Sequence, residues 1–124
     1  DNFEKDIISS VFYNRIKKDM RLQSDPTILY YKNLNRKIKT RKIFKKDLLS
    51  DNPWNTYTRK GLPLTAICSP GIKALEAAMN PRKTSFLYFV ADGKGGHRFS
   101  DNYKEHLANI KLWKDKLRET NEIK

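Results

Sequence analysis

The side chains with the clearest capacity for chemistry fall in short polar stretches separated by apolar runs. The first is Gln23-Ser24-Asp25, immediately ahead of Pro26. Proline suits the first turn of a helix, so Gln23 and Ser24 stand where backbone N–H groups are free to meet a ligand. The plainer reading is an ordinary capped turn with Asp25 as N-cap. The second stretch, Trp54-Asn55-Thr56-Tyr57, sets two aromatics beside an amide. Aromatic faces stack on the apolar faces of sugar rings, and an amide offers both donor and acceptor to hydroxyls. A loop packing its own aromatics onto the core would look the same. The third is His97, which follows the turn Asp92-Gly93-Lys94-Gly95-Gly96. Its imidazole faces either a partner of the hairpin or an open cleft, the first structural and the second functional.

Conventional catalytic signatures are absent. The chain has no G-x-S-x-G elbow, P-loop or H-E-x-x-H. Cys68 is the only cysteine, so an internal disulfide, a cysteine zinc site and a CxxC redox pair are all excluded. No metal site or cofactor is expected. The carboxylates lack an apolar setting that would raise their pKa for acid catalysis: Glu76 and Glu105 fall on exposed helix faces, Asp25 and Asp92 in turns.

The elements that must position these residues follow from periodicity. Ile7, Ile8, Val11, Phe12, Ile16 and Met20 recur at helical spacing from Glu4 to Met20. A second helix starts near Asp25-Pro26, and a helical turn is expected over Asp47 to Ser50. Ser69 with Pro70 predicts a helix start, with Ile72, Leu75, Ala78 and Met79 as the inner face and Asn80-Pro81 as the stop. The run Phe86 to Ala91 is apolar at both parities, predicting a strand buried on both faces; the glycine turn returns it through His97, Arg98 and Phe99. Asn102 with Glu105 forms a capping box for a last helix striped by Tyr103, Leu107, Ile110, Trp113 and Leu117, with His106 beside the stripe. The fold class is α+β: amphipathic helices packed around a central β-hairpin and a small antiparallel or mixed sheet.

The 124 residues suit one domain with one core. The formal charge of +12, from 26 Lys and Arg against 14 Asp and Glu, attracts polyanions: nucleic acid, anionic lipid or an acidic wall polymer. Lys32 to Lys46 holds eight basic residues and no acid. It lacks the interleaved aromatics of a single-strand binder and the punctuation of a helix-turn-helix, so a solvated excursion is the better reading. No run reaches the roughly 18 apolar residues of a membrane span. The chain opens in helical pattern without an initiator Met, as a piece cut from a longer protein would.

Taken together, SVFYNRIKKDMRLQSDPT (Ser10 to Thr27), KKDL and NPWNTYTRKGLP (Lys45 to Pro63), SPGIKALEAAMNP (Ser69 to Pro81) and FLYFVADGKGGHRFS (Phe86 to Ser100) resemble the YceG/MltG-like endolytic murein transglycosylases. The resemblance implies a lyase that cuts peptidoglycan strands internally between MurNAc and GlcNAc and leaves a 1,6-anhydro end. One carboxyl group suffices: it protonates the leaving oxygen, then serves as base for the sugar's own 6-hydroxyl.

Gln23, Ser24 and Asp25 match the family's Q-[ST]-D-P-T motif, Asn55, Thr56 and Tyr57 its Y-N-T-Y motif, and Tyr88 and His97 its L-Y-F-V-A-D-G-x-G-G-H motif. Gln23, Ser24, Asn55, Tyr57, Tyr88 and His97 are therefore the expected substrate-binding residues, with Gln23, Asn55 and His97 lining one groove. The family's acid/base Glu lies in an S-I-[VI]-E-K-E type motif that would fall before Asp1, and Glu4 matches a later acidic position. Residues 1–124 are thus expected to be a partial catalytic domain, inactive alone, without membrane anchor, LysM-like subdomain or catalytic Glu. Departures are Trp54 for the usual Tyr, Leu64-Thr65 for Pro-Gly and a longer basic Lys32 to Arg41.

The resemblance also implies peptidoglycan as substrate, penicillin-binding synthases and the anionic membrane surface as partners, and no specific nucleic acid. Tethering at the bacterial cytoplasmic membrane, facing outward, goes with it. The family's other label, aminodeoxychorismate lyase, would require a Schiff-base lysine and a phosphate cup that cannot be placed here. Two rival readings are a non-catalytic glycan-binding module and a basic nucleic-acid binder.

Overall fold

Helix α1 (Asn2–Lys17) carries Glu4 in its first turn and Arg15 and Lys17 in its last, where each sign complements the helix dipole. It stops three residues short of the expected Met20. Asp19 adopts a left-handed φ of 55°, and Met20 N–H returns to the Arg15 carbonyl at 2.9 Å, closing the helix end. The computed structural model describes residues 2–68 and 72–123. The remaining elements are α2 (Asp25–Asn33), α3 (Lys45–Leu49), α4 (Ile72–Met79), β1 (Tyr88–Ala91), β2 (His97–Ser100) and α5 (Tyr103–Ile123). The class is α+β, with one two-stranded antiparallel sheet among the described residues.

The chain divides into two compact units where the sequence suggests a single core: residues 1–14 with 71–124, and residues 15–70. In the first unit the hairpin register pairs Tyr88 with Ser100 and Ala91 with His97. Side chains alternate between faces, so Phe89, Ala91, His97 and Phe99 share one face and Tyr88, Val90, Arg98 and Ser100 the other. Phe12 of α1 meets Phe89 edge-on at 5.8 Å on the first face, and His106 of α5 stacks on Tyr88 at 4.8 Å on the second.

Polar groups fasten α1 to this unit. Asn14 Nδ2 donates to the carbonyls of Thr84 and Phe86, both at 2.9 Å, and the Ser10 and Thr84 hydroxyls pair at 2.6 Å. Ser9 donates to the Ala77 carbonyl of α4 at 3.0 Å. Ser10 and Val11 are fully buried. The inward face of α1 is therefore small and partly polar.

Several apolar expectations reverse. All four residues of β1 are half-buried rather than enclosed on both faces, because two strands and their flanking helices leave each strand one free edge. In α4, Ile72 and Met79 are 75% and 78% exposed and Leu75 and Ala78 also face outward, while Ala77 is buried. The Ser69-Pro70 helix start lies outside the described residues. Asn102 caps α5 as expected, its Oδ1 accepting Glu105 N–H at 2.8 Å.

In the second unit, the N-cap of α2 is Ser24 in place of Asp25, and the Ser24 hydroxyl makes no capping bond. Helix α3 begins at Lys45, two residues before the expected turn. Asp47 accepts the Phe44 N–H at 2.7 Å and the Lys32 ammonium at 2.8 Å. Those two hydrogen bonds, the lysine's first, hold the Asp47 carboxyl below its ordinary pKa.

Candidate functional site

The expected site residues separate between the units: Gln23, Ser24, Asn55 and Tyr57 in the second, Tyr88 and His97 in the first.

Thr56 organises the second unit. Its buried hydroxyl accepts Ser24 N–H at 2.9 Å and pairs with the Thr27 hydroxyl at 2.9 Å, while its carbonyl accepts Gln23 N–H at 3.1 Å. From the other side, Arg15 Nη1 donates to the carbonyls of Arg21 and Leu22 at 3.1 and 3.2 Å. These bonds hold Gln23 at a left-handed φ of 50°, a conformation costing a non-glycine residue about 1 kcal/mol. Strain kept by surrounding bonds points to a purpose for the strained residue. The Gln23 side chain is exposed, and its amide makes no hydrogen bond to the described residues.

Asn55 is placed differently from a groove-lining amide. It is 1% exposed, and all four of its hydrogen-bonding functions are used inside its loop. Nδ2 donates to the Leu48 and Ser50 carbonyls at 3.1 and 2.7 Å, and Oδ1 accepts Tyr57 and Thr58 N–H at 2.7 and 3.2 Å. Trp54 also packs internally: it stacks on Tyr31 at 5.8 Å and donates its indole N–H to Thr65 at 2.9 Å. Of the two readings left open for this stretch, internal packing describes both residues.

Tyr57 donates its hydroxyl to the Asp25 carboxylate. Burial, and then this bond to an anion, push its pKa well above the ordinary tyrosine value. Asp25, freed from capping, thus fixes the Tyr57 ring against the start of α2. A separate groove of about 460 Å³ runs along α2, lined by Leu29, Tyr30, Asn33, Leu34, Ile67 and Cys68 among others; none of the expected site residues borders it.

In the first unit His97 and Tyr88 lie on opposite faces of the hairpin, so one surface cannot present both. The ring of Tyr88 is covered by His106 and by Tyr103 at 5.8 Å. His97 faces α1, where its Nδ1 pairs with the Glu4 carboxylate. A carboxylate only accepts, so Nδ1, the nitrogen that meets it, carries a proton. Nε2 makes no hydrogen bond to the described residues, and the side chain is 31% exposed.

The turn completes this arrangement. Asp92 Oδ1 accepts Lys94 N–H at 2.7 Å and Gly96 N–H at 3.1 Å, which lowers its pKa, the Lys94 bond contributing most. A Cβ on Gly96 would lie 3.1 Å from a Glu4 oxygen and 3.0 Å from an Asp92 oxygen, so the bare glycine is what admits both acids beside His97.

Sequence reasoning missed Glu4, Thr56 and Asn14 as organisers. Glu4 read as the start of a helix and a later acidic position of the family, and nothing in its spacing from His97 marks the pair. Asn14 was a polar letter amid stronger signals, and Thr56 stood inside the Y-N-T-Y match with no organising role read from it. No group of three or more His, Cys, Asp and Glu among the described residues could hold a metal ion.

The profile of the YceG-like family matches residues 1–112. Over 99 residues the chain is 48% identical to an endolytic murein transglycosylase of Bacillus subtilis (strain 168), covering 80% of this chain and 26% of that protein. It is 36% identical over 109 residues to one of Streptococcus pneumoniae serotype 2, covering 86% of this chain and 20% of the relative. A crystal structure of a yceG-like protein from Listeria monocytogenes superposes with a TM-score of 0.74 at 44% identity, covering 87% of this chain and 33% of that one. The chain therefore spans between a fifth and a third of the length of these proteins.

Proposed function

Given that the chain belongs to the YceG-like family, we propose that it is part of an endolytic murein transglycosylase that cleaves the MurNAc–GlcNAc bond and leaves a 1,6-anhydro end. The observation that carries this is its 48% identity to the Bacillus enzyme over most of its own length. The substrate is peptidoglycan, and the work is done outside the cytoplasm by a membrane-tethered protein alongside penicillin-binding synthases.

In this reading the two units contribute different parts. Gln23, with Ser24 beside it at the start of α2, offers an exposed amide to sugar hydroxyls. Asn55 and Tyr57 act through the loop and through Asp25 to keep that display in place. His97 presents Nε2, oriented by Glu4, to a saccharide hydroxyl or to the proton-donating carboxyl. Tyr88 supports the opposite face of the hairpin through α5. The carboxyl that protonates the leaving oxygen, and then activates the 6-hydroxyl, belongs to a residue outside 1–124.

The test is release of anhydromuropeptides from purified peptidoglycan by the 124-residue chain and by the longer protein that carries it. The longer protein is expected to release them, and the chain alone to bind glycan without cutting it. Release by the chain alone would locate the acid within it, with Glu4 the first candidate. Binding without release at either length would replace the enzyme with a glycan-binding module.

A further inference from the structure

Between α2 and α3, residues 34–44 form a basic loop whose ends are stitched together. Asn33 Nδ2 donates to the Thr40 carbonyl and Asn33 Oδ1 accepts Thr40 N–H, both at 2.9 Å, while Lys39 Nζ donates to the Asn33 carbonyl at 2.7 Å. Within the loop, Arg36 Nε donates to the Ile38 carbonyl at 3.3 Å. The closure carries Ile38 outward to 83% exposure, above every other exposed large hydrophobic side chain of the described residues. Phe44, at the base, is 53% exposed, and the Lys32 ammonium lies over its ring at 4.5 Å.

Charge surrounds this apolar tip. Arg36, Lys37, Lys39, Arg41 and Lys42 are all exposed, and the segment Lys32 to Lys46 contains no acid to neutralise them. The nearest acid in sequence, Asp47, is already engaged by Lys32 at 2.8 Å. A cationic rim around an isolated aliphatic side chain is complementary to one kind of surface: lipid phosphates above hydrocarbon. Nucleic acid would satisfy the cations but give Ile38 no apolar environment, and the loop's one aromatic, Phe44, sits at its base with Lys32 over its ring rather than beside Ile38 at the tip.

We propose that loop 34–44 docks on the surface of an anionic lipid bilayer, with Ile38 entering the boundary between headgroups and acyl chains and Lys37, Arg41 and Lys42 resting on the phosphates. This assigns a segment of the chain to the membrane surface that the proposed function names, and its test needs no transglycosylase activity.

The test is co-sedimentation of the 124-residue chain with vesicles of phosphatidylcholine alone and of phosphatidylcholine mixed with phosphatidylglycerol. Binding is expected only to the anionic vesicles. Replacing Lys37, Arg41 and Lys42 together by Gln is expected to weaken it roughly a hundredfold. Ile38→Ser should weaken it about tenfold while leaving the salt dependence unchanged. Ile38→Trp should show a blue-shifted emission on binding, quenched by brominated acyl chains.

The matched control replaces Lys104, Lys111 and Lys114 of α5 by Gln, which removes the same charge from elsewhere and is expected to change binding less than about twofold. Equal losses from both triple variants would overturn the proposal in favour of general charge attraction. So would an unshifted Ile38→Trp spectrum on bound vesicles, or duplex DNA displacing the chain from vesicles at equal phosphate concentration. Thermal melts of every variant separate lost binding from lost folding.

Discussion

The carboxylate of Glu4, in the first turn of α1, pairs with Nδ1 of His97 at the start of β2, joining the two chain segments of the first unit beside the glycine turn. The pair holds the position of the imidazole and favours the tautomer with its proton on Nδ1.

Glu4→Gln is expected to release that tautomer. Long-range nitrogen–proton correlation spectra of the ring should show the proton on Nδ1 in the wild type and a mixture of tautomers in the variant. The accompanying loss of stability should be about 1 kcal/mol, since both groups are partly exposed.

Gly96→Ala and Gly95→Ala should differ in kind. At Gly95, φ is +87° and no atom lies within 4 Å of a new Cβ, so the cost is backbone strain of about 1 kcal/mol, with the His97 ring signals unchanged. At Gly96 the new methyl displaces the flexible carboxylate ends of Glu4 and Asp92. The ring signals of His97 should then resemble those of Glu4→Gln, even where urea unfolding detects little change.

Thr56→Val should cost about 2 kcal/mol in urea unfolding, because the Ser24 N–H and the Thr27 hydroxyl both lose a buried partner. Thr56→Ser keeps the hydroxyl and should recover most of that loss. On the proposed reading of Gln23 as a sugar-binding residue, glycan affinity should also fall with Thr56→Val, since the Ser24 N–H bond beside Gln23 is lost while the Gln23 N–H bond to the Thr56 carbonyl remains.

Tyr57 gives an alkaline dependence. Its folded-state pKa lies above the ordinary value of 10.0, so the folded state retains the proton longer. The stability this contributes is fully present below pH 10.0 and is lost as pH rises from there toward the raised value. The stability gap between wild type and Tyr57→Phe should therefore narrow above that pH in urea titrations.

Asp92 gives the opposite case. Its pKa is depressed below 3.8 by hydrogen bonds from the Lys94 and Gly96 amides, so its contribution is present above that pH and disappears as pH falls through the depressed value. Acid titration of Asp92→Asn against wild type should show the two curves converging below about pH 4.

What the sequence determined alone was local. The starts of α2 and α5, the hairpin with its five-residue turn, and the α+β class all follow from Pro26, Asn102, the glycines at 93, 95 and 96 and the apolar periodicities, because capping and turn chemistry act over a few residues. The family was likewise legible, since its motifs are contiguous strings. Tertiary structure alone decided what those motifs do. Asn55 turned inward because Leu48, Ser50, Tyr57 and Thr58 present backbone groups that match all four functions of its amide. His97 acquired Glu4 because α1 folds back across the hairpin face opposite Tyr88. Helix α4 turned Ala77 inward, where its carbonyl meets Ser9, and left its larger side chains outside. Pairings between residues far apart in the chain depend on packing geometry, and no spacing within a linear sequence encodes that geometry directly.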